Sequence, residues 1–72
     1  MIYVLVYRRF DYHRFDDVIT ASTDLDTVVY VKENGPHKDL PVYFEYSEHY
    51  KEDSAILAEQ EISHFVIMEF KE

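Results

Sequence analysis

The sequence predicts an α+β fold: a mainly antiparallel sheet of about four strands with one helix packed on one face. A second, short helix on that face is left open. Three observations lead to this class. They are several runs of β-branched and aromatic residues, one segment that carries both helix start and stop signals, and the order in which these alternate. A length of 72 residues suits one domain, so we expect residues 1–72 to form a single acidic domain.

Four segments are expected to be strands. Residues 2–7 form an unbroken β-branched and aromatic run, which is typical of a central strand covered on both faces. Residues 18–21 predict a second strand, antiparallel to the first. A third is expected over residues 41–47, where Pro41 suits the first position of a strand, and a fourth over residues 64–70.

The first helix is expected over residues 24–33. Thr23 is the predicted N-cap, and Asp24 would then lie in the first turn, where a carboxylate suits the helix dipole. The sequence Asn34-Gly35-Pro36 is a stop signal. Residues 27–31 have strand propensity, so a strand over the same segment stays open as an alternative.

The second helix is the shorter one. We expect residues 48–53 to form a charged turn and residues 54–60 to form a short helix. Asp53 or Ser54 would cap this helix, and Ile56 and Leu57 would point inward.

The chain contains no cysteine, which excludes disulfides and thiolate metal sites. Small folds without such cross-links gain stability from association, so a homodimer is an open expectation. No stretch reaches the roughly 18 apolar residues of a membrane span, and the N-terminus lacks the features of a signal peptide. We therefore expect a cytoplasmic protein, located in the host cell if the source is viral.

The formal net charge is −8. This charge disfavours direct contact with nucleic acid or with an anionic membrane, because their phosphates would repel it. It favours a basic partner, and many basic protein surfaces hold DNA. The alternative is that the acidity serves only solubility.

Catalytic and metal chemistry are not indicated. With Gly35 as its single glycine, the chain cannot form a glycine-rich phosphate-binding loop. None of the serines lies in a nucleophile-elbow motif. His49 with Glu52 and Asp53 does not show a recognised metal-ligand spacing. We therefore predict that the protein is not an enzyme and has no catalytic residue, metal or cofactor.

Residues 8–17 hold all three arginines of the chain and contain the tripeptide Arg-Phe-Asp twice. We interpret this segment as a hairpin tip in which Arg and Asp pair across the turn, while Phe10 and Phe15 close the edge of the core. The alternative is a protein contact, because arginine and aromatic residues are enriched at interfaces. Interleaved aspartates argue against stacking on nucleic-acid bases.

The acidic residues are concentrated in the second half of the chain. Residues 1–36 have six acids and four bases, and residues 37–72 have nine acids and three bases. Carboxylates that share one face of a strand lie about 6.6–6.8 Å apart and can approximate a phosphate ladder. Tyrosines between them add apolar contact. The candidate partner-binding residues are Glu45, Tyr46, Glu48, Tyr50, Glu52, Asp53, Glu59 and Glu61.

In its small size, lack of cysteine and acidic, tyrosine-rich residues 43–53, the chain resembles the small early proteins with which bacteriophages take over a host. Several members of that class are DNA mimics, and their targets include the histone-like nucleoid protein HU, the sliding clamp, CRISPR effectors and restriction or repair enzymes. The resemblance implies a DNA-mimic inhibitor that binds a basic DNA-binding protein. The alternative is a small dimeric interaction module that uses its sheet edges or the segment between Phe10 and Phe15.

Overall fold

The computed structural model describes residues 1–71, so the acidic Glu72 lies outside the described part of the chain. A four-stranded sheet and two helices confirm the predicted α+β class. The sheet order is β2-β1-β4-β3, and only the β3–β4 pair is parallel. The elements are β1 (Ile2–Asp11), β2 (His13–Ser22), α1 (Leu25–Glu33), β3 (Val42–Phe44), α2 (Glu48–Glu59) and β4 (His64–Phe70).

The first two strands form a hairpin that is longer than predicted. β1 and β2 continue through residues 8–17 and meet at Tyr12, whose φ of 66° makes the tight turn. The strands can continue because Arg8 lies opposite Asp16 in the register and forms an ion pair with it. The predicted pairing of Arg and Asp across the turn is therefore confirmed. The prediction that Phe15 closes the edge of the core is wrong, because this side chain is 41% exposed.

Helix α1 confirms the predicted helix and excludes the strand alternative. Its cap is Asp24 and not Thr23, since a side-chain oxygen of Asp24 accepts a hydrogen bond from the amide of Asp26 at 3.0 Å. The helix ends at Asn34, as the stop signal predicted. Val28 is fully buried and anchors α1 to the sheet.

The segment between β3 and β4 differs most from the prediction. Strand β3 covers only three residues, and the predicted turn at residues 48–53 is the first half of a twelve-residue helix. The helix begins early because Tyr50 and Leu57, seven residues apart, share one face and bury it against the sheet. Ser47 occupies the N-cap position, in place of the predicted Asp53 or Ser54.

Ile56 and Leu57 of the second helix were both expected to point towards the core, and the structure confirms only one of them. Leu57 is buried, as predicted, but Ile56 is 52% exposed and the prediction that it points inward is wrong. Successive residues of an α-helix are rotated by about 100° around its axis, so the adjacent Ile56 and Leu57 point in different directions.

The two helices pack on opposite faces of the sheet, whereas the sequence predicted helix packing on one face. Phe65 and Ile67 of β4 contact α1 through Val28. Val66, between them, packs against Tyr50 and Leu57 of α2. Because side chains alternate along a strand, these two clusters lie on the two sides of the sheet. The sheet is therefore the middle layer of three, and α2 presents its outer face to solvent.

Candidate protein-binding surface

The outer face of α2 carries a row of three carboxylates. Glu48, Glu52 and Glu59 lie within about 40° of one another around the helix axis, at 100° per residue, and nearly opposite the buried pair Tyr50 and Leu57. All three side chains belong to exposed residues. We call these three residues the acidic ridge.

The spacing of the acidic ridge follows from the helical rise of 1.5 Å per residue. Glu52 lies about 6 Å along the axis from Glu48, and Glu59 about 10.5 Å further. The ridge therefore places three charges over about 16.5 Å, more sparsely than one DNA strand, which carries a charge about every 3.4 Å. Ala55 occupies the gap in the row between Glu52 and Glu59, and it is exposed.

Four other predicted residues lie outside the ridge. Asp53 is exposed on α2 but lies about 140° around the axis from Glu48, so it does not share the face of the row. Glu61 is exposed just beyond the end of the helix, in a left-handed conformation with φ of 54°. Glu45 and Tyr46 precede α2, and both side chains are exposed.

Tyr46 is tied to the neighbouring strand. Its hydroxyl is hydrogen-bonded to the carboxylate of Glu69, and its ring lies 5.5 Å from the ring of Phe44. Loss of solvent around the hydroxyl, followed by the hydrogen bond to this carboxylate, raises the pKa of Tyr46. The side chain therefore remains neutral and offers an apolar ring beside the acids.

Tyr50 does not belong to the surface, and its prediction as a partner-binding residue is corrected. Its side chain is buried, only 5% exposed, and its ring packs against Leu57 and Val66. A tyrosine one helical position earlier or later would have pointed elsewhere, so the outcome depends on the helix phase that the sequence-based turn prediction lacked. The Tyr50 hydroxyl instead enters a buried polar network.

This network links α2 to β1, β2 and β4. Nη1 of Arg8 donates a hydrogen bond to the Tyr50 hydroxyl at 2.6 Å. The same guanidinium donates through Nε and Nη2 to both carboxylate oxygens of Asp16, at 2.9 and 3.2 Å. The Arg8 hydrogen bond holds the pKa of Asp16 below its ordinary value of 3.8, so this carboxylate stays charged.

His64 completes the network, and sequence reasoning missed its role. Its Nδ1 lies 2.9 Å from the carbonyl oxygen of Ile62, which can only accept, so Nδ1 carries the proton. Its Nε2 therefore accepts from the Tyr50 hydroxyl at 3.0 Å. Burial lowers the pKa of His64, which favours this neutral form. The available signal was its position at the head of the apolar run of β4, on the face shared with Val66.

The arginines are separated from the acidic ridge and are neutralised locally. Residues 8–17 contain three arginines and three aspartates, so the hairpin has no net charge. Arg8 pairs with Asp16, and Nε of Arg9 lies 3.2 Å from a carboxylate oxygen of Asp17. The only cation on α2 is Lys51, whose Nζ lies 3.7 Å from a carboxylate oxygen of Glu48. Such an exposed pair screens the ridge only weakly.

A groove of about 470 Å³ separates α2 from the hairpin. Arg8, Arg14 and Lys51 line it together with a single acid, Glu45, and Arg8 is already paired with Asp16. Phe10 and the small residues of α2 supply its apolar surface. In this groove one of the predicted acidic residues, Glu45, lies beside arginines.

The described residues show neither a metal site nor a membrane-spanning helix. In residues 1–71, no three histidine or carboxylate side chains converge closely enough to hold a metal ion. Of the helices in that range, none is both long and apolar enough to cross a bilayer. Comparison of the chain with protein-family models, with curated proteins and with solved structures finds no match in any of the three.

Proposed function

We propose that this protein is a DNA mimic: it binds the basic DNA-binding surface of a bacterial protein through the acidic ridge and blocks DNA from binding there. The observation that carries the proposal is the acidic ridge itself. Its three carboxylates project from a rigid helix, on the face opposite the buried contacts. A histone-like HU-type nucleoid protein is the first partner to test, and a sliding clamp or a CRISPR effector presents related chemistry.

Three features of the surface support this proposal. The ridge carboxylates are exposed and have one neighbouring cation, Lys51. The arginines of the hairpin already pair with its own aspartates and do not offset the ridge. Exposed Tyr46 supplies an aromatic contact near the ridge, and aromatic side chains are favoured at the centres of interfaces.

The test is a displacement experiment. An HU-type protein bound to labelled duplex DNA is mixed with the protein, and release of the DNA is followed by fluorescence anisotropy. Release should be efficient at low salt and should weaken as salt rises, because exposed charges more than about 8–10 Å apart are screened at physiological ionic strength. Absence of any release at low salt removes HU-type proteins as the target.

Matched charge variants separate the ridge from net charge. The pair Glu48→Gln and Glu52→Gln should slow association by about tenfold or more, because exposed charges that complement a partner act mainly on association rates. The control pair Asp26→Asn and Glu33→Gln removes the same charge from α1, on the opposite face of the sheet. Equal effects of the two pairs would mean that only the overall charge matters.

A gain-of-function variant tests the ridge geometry directly. Ala55→Glu fills the gap in the row, so it should increase the association rate if the ridge contacts the partner. The other candidate, an interaction module held by apolar contacts, is favoured by the exposed Val18 and Phe15 on β2. Binding of that kind would be nearly independent of salt and insensitive to Ala55→Glu.

A further inference from the structure

Strand β2 is an open edge of the sheet. In the described residues it pairs with β1 alone, and the other edge, β3, is only three residues long. The outer half of β2 also exposes large apolar side chains, with Val18 at 69% and the neighbouring turn residue Tyr12 at 91%. An edge of ten residues with this composition is a template for pairing with another strand.

We propose that β2 pairs with β2 of a second copy, in antiparallel register centred on Phe15, to form a two-fold symmetric dimer with a continuous eight-stranded sheet. In this register Phe15 meets Phe15 of the second copy. Arg14 lies opposite Asp16, His13 opposite Asp17 and Tyr12 opposite Val18, and two-fold symmetry repeats each pair.

Charge complementarity selects this register from its neighbours. A two-fold axis perpendicular to the sheet requires the register to be centred on a residue, because side chains directly opposite must share a face. Centring on Arg14 would place it opposite its own copy and would set Asp11 against Asp17. Centring on Asp16 or Asp17 would set two equal carboxylates opposite each other, which is destabilising.

The charges on β2 do not protect this edge against its own copy. Charged side chains usually discourage strand addition. Here the basic Arg14 precedes Phe15 and the acidic Asp16 and Asp17 follow it, so these charges complement an antiparallel second copy. The contact between Nη2 of Arg14 and Asp16 in the same chain is long, at 3.8 Å, and the Arg14 side chain is 59% exposed. It is therefore placed to reach the second copy.

The dimer has a geometric consequence for the acidic ridge. A two-fold axis perpendicular to the sheet keeps both copies of α2 on the same face of the extended sheet. Two ridges would then lie on one surface, which doubles the number of ridge carboxylates that a partner can meet. This consequence rests on the proposed function, whereas the dimer does not.

The first test uses cysteine cross-linking, since the chain has no cysteine of its own. In Phe15→Cys the two introduced thiols lie in directly opposite residues, whose Cα atoms are about 4.5–5.5 Å apart, within the range a disulfide needs. In the matched control Val18→Cys, the two thiols are about 20 Å apart along the strands. Mild oxidation should cross-link Phe15→Cys at least about tenfold faster than Val18→Cys. Equal rates, or no cross-link in either, would overturn the register.

The second test measures mass by sedimentation equilibrium of the unmodified full chain. We expect a dimer whose dissociation constant rises about tenfold or more in Arg14→Asp, which sets Asp opposite Asp16, and much less in the control Lys71→Asp. A monomeric mass for the unmodified chain overturns the dimer, as does an equal effect of the two substitutions.

Neither assay contains a DNA-binding protein, so the two proposals fail separately. The ridge variant with Glu48→Gln and Glu52→Gln should dimerise like the unmodified chain. A monomer that still displaces DNA would overturn only the dimer, and a dimer that never displaces DNA would overturn only the proposed function.

Discussion

The Tyr50 hydroxyl donates a hydrogen bond to Nε2 of His64 across 3.0 Å, in the buried layer between α2 and the sheet. The same hydroxyl oxygen accepts from Arg8 at 2.6 Å. One tyrosine thus satisfies a buried imidazole and a largely buried guanidinium, and it fixes the helix that carries the acidic ridge onto the strands beneath. The position of the ridge therefore depends on an interior polar contact.

Tyr50→Phe tests this contact. The substitution keeps the ring but leaves Nε2 of His64 and Nη1 of Arg8 without this partner, and an unsatisfied buried polar group costs about 1–3 kcal/mol. We expect the free energy of unfolding in urea to fall by that amount. Tyr30→Phe is the control, because Tyr30 is 68% exposed on the outer face of α1, and its effect should stay within about 0.5 kcal/mol. Equal losses would show that the network adds no stability.

The protonation of His64 predicts how stability depends on pH. Burial, aided by the nearby Arg8 guanidinium and opposed by the Ile62 carbonyl and by Asp16, lowers the pKa of His64 below its ordinary value of 6.5. Just below pH 6.5 the unfolded chain therefore binds a proton that the folded chain does not. The stability contribution is complete above pH 6.5 and is lost as the pH falls through that value towards the lower pKa of the folded state.

The measurement is urea unfolding between about pH 7.5 and 5, comparing the chain with His64→Gln. The unmodified protein should lose stability over this range, and the variant should lose less. The carboxylate of Asp16, whose pKa lies below 3.8, contributes only at more acidic pH. A slope that is unchanged in His64→Gln would assign the pH dependence to other groups.

The ion pair between Arg8 and Asp16 should contribute more than its neighbour on the same hairpin. Its side chains are 12% and 33% exposed and share two hydrogen bonds. A double-mutant cycle with Arg8→Met and Asp16→Asn should give a coupling energy of about 1–2 kcal/mol. The more exposed pair Arg9 and Asp17 should give about 1 kcal/mol or less. The reverse ranking would contradict the assignment of Arg8 to the network.

Leu57 and Ile56 are adjacent in the sequence and should respond differently to truncation. Leu57→Ala leaves a cavity between α2 and the sheet and should lower the free energy of unfolding by about 2–5 kcal/mol. Ile56→Ala removes an exposed side chain and should change it by no more than about 0.5 kcal/mol. Thermal or urea unfolding of the two variants measures both values. Similar losses would place the two side chains in similar environments.

The sequence alone determined the elements whose signals are local. The apolar run of β4 and the start and stop signals of α1 depend on neighbouring residues, so these elements were predicted correctly. The length of the hairpin was not, because β1 and β2 continue only through cross-strand pairs such as Arg8 with Asp16. From sequence alone such a charged segment is interpreted as a loop, because the pairing of its opposite charges becomes visible only when the two strands lie side by side.

Only the tertiary structure decided the phase of α2, and with it the surface. Residues 48–53 have no strong helical periodicity of their own. They join the helix because the Tyr50 hydroxyl forms hydrogen bonds with Arg8 and His64 of the sheet. That docking turns Glu48 and Glu52 outward and draws Tyr50 inside. Acidic composition is a property of the chain, but the direction in which each carboxylate points is set by contacts between residues distant in sequence.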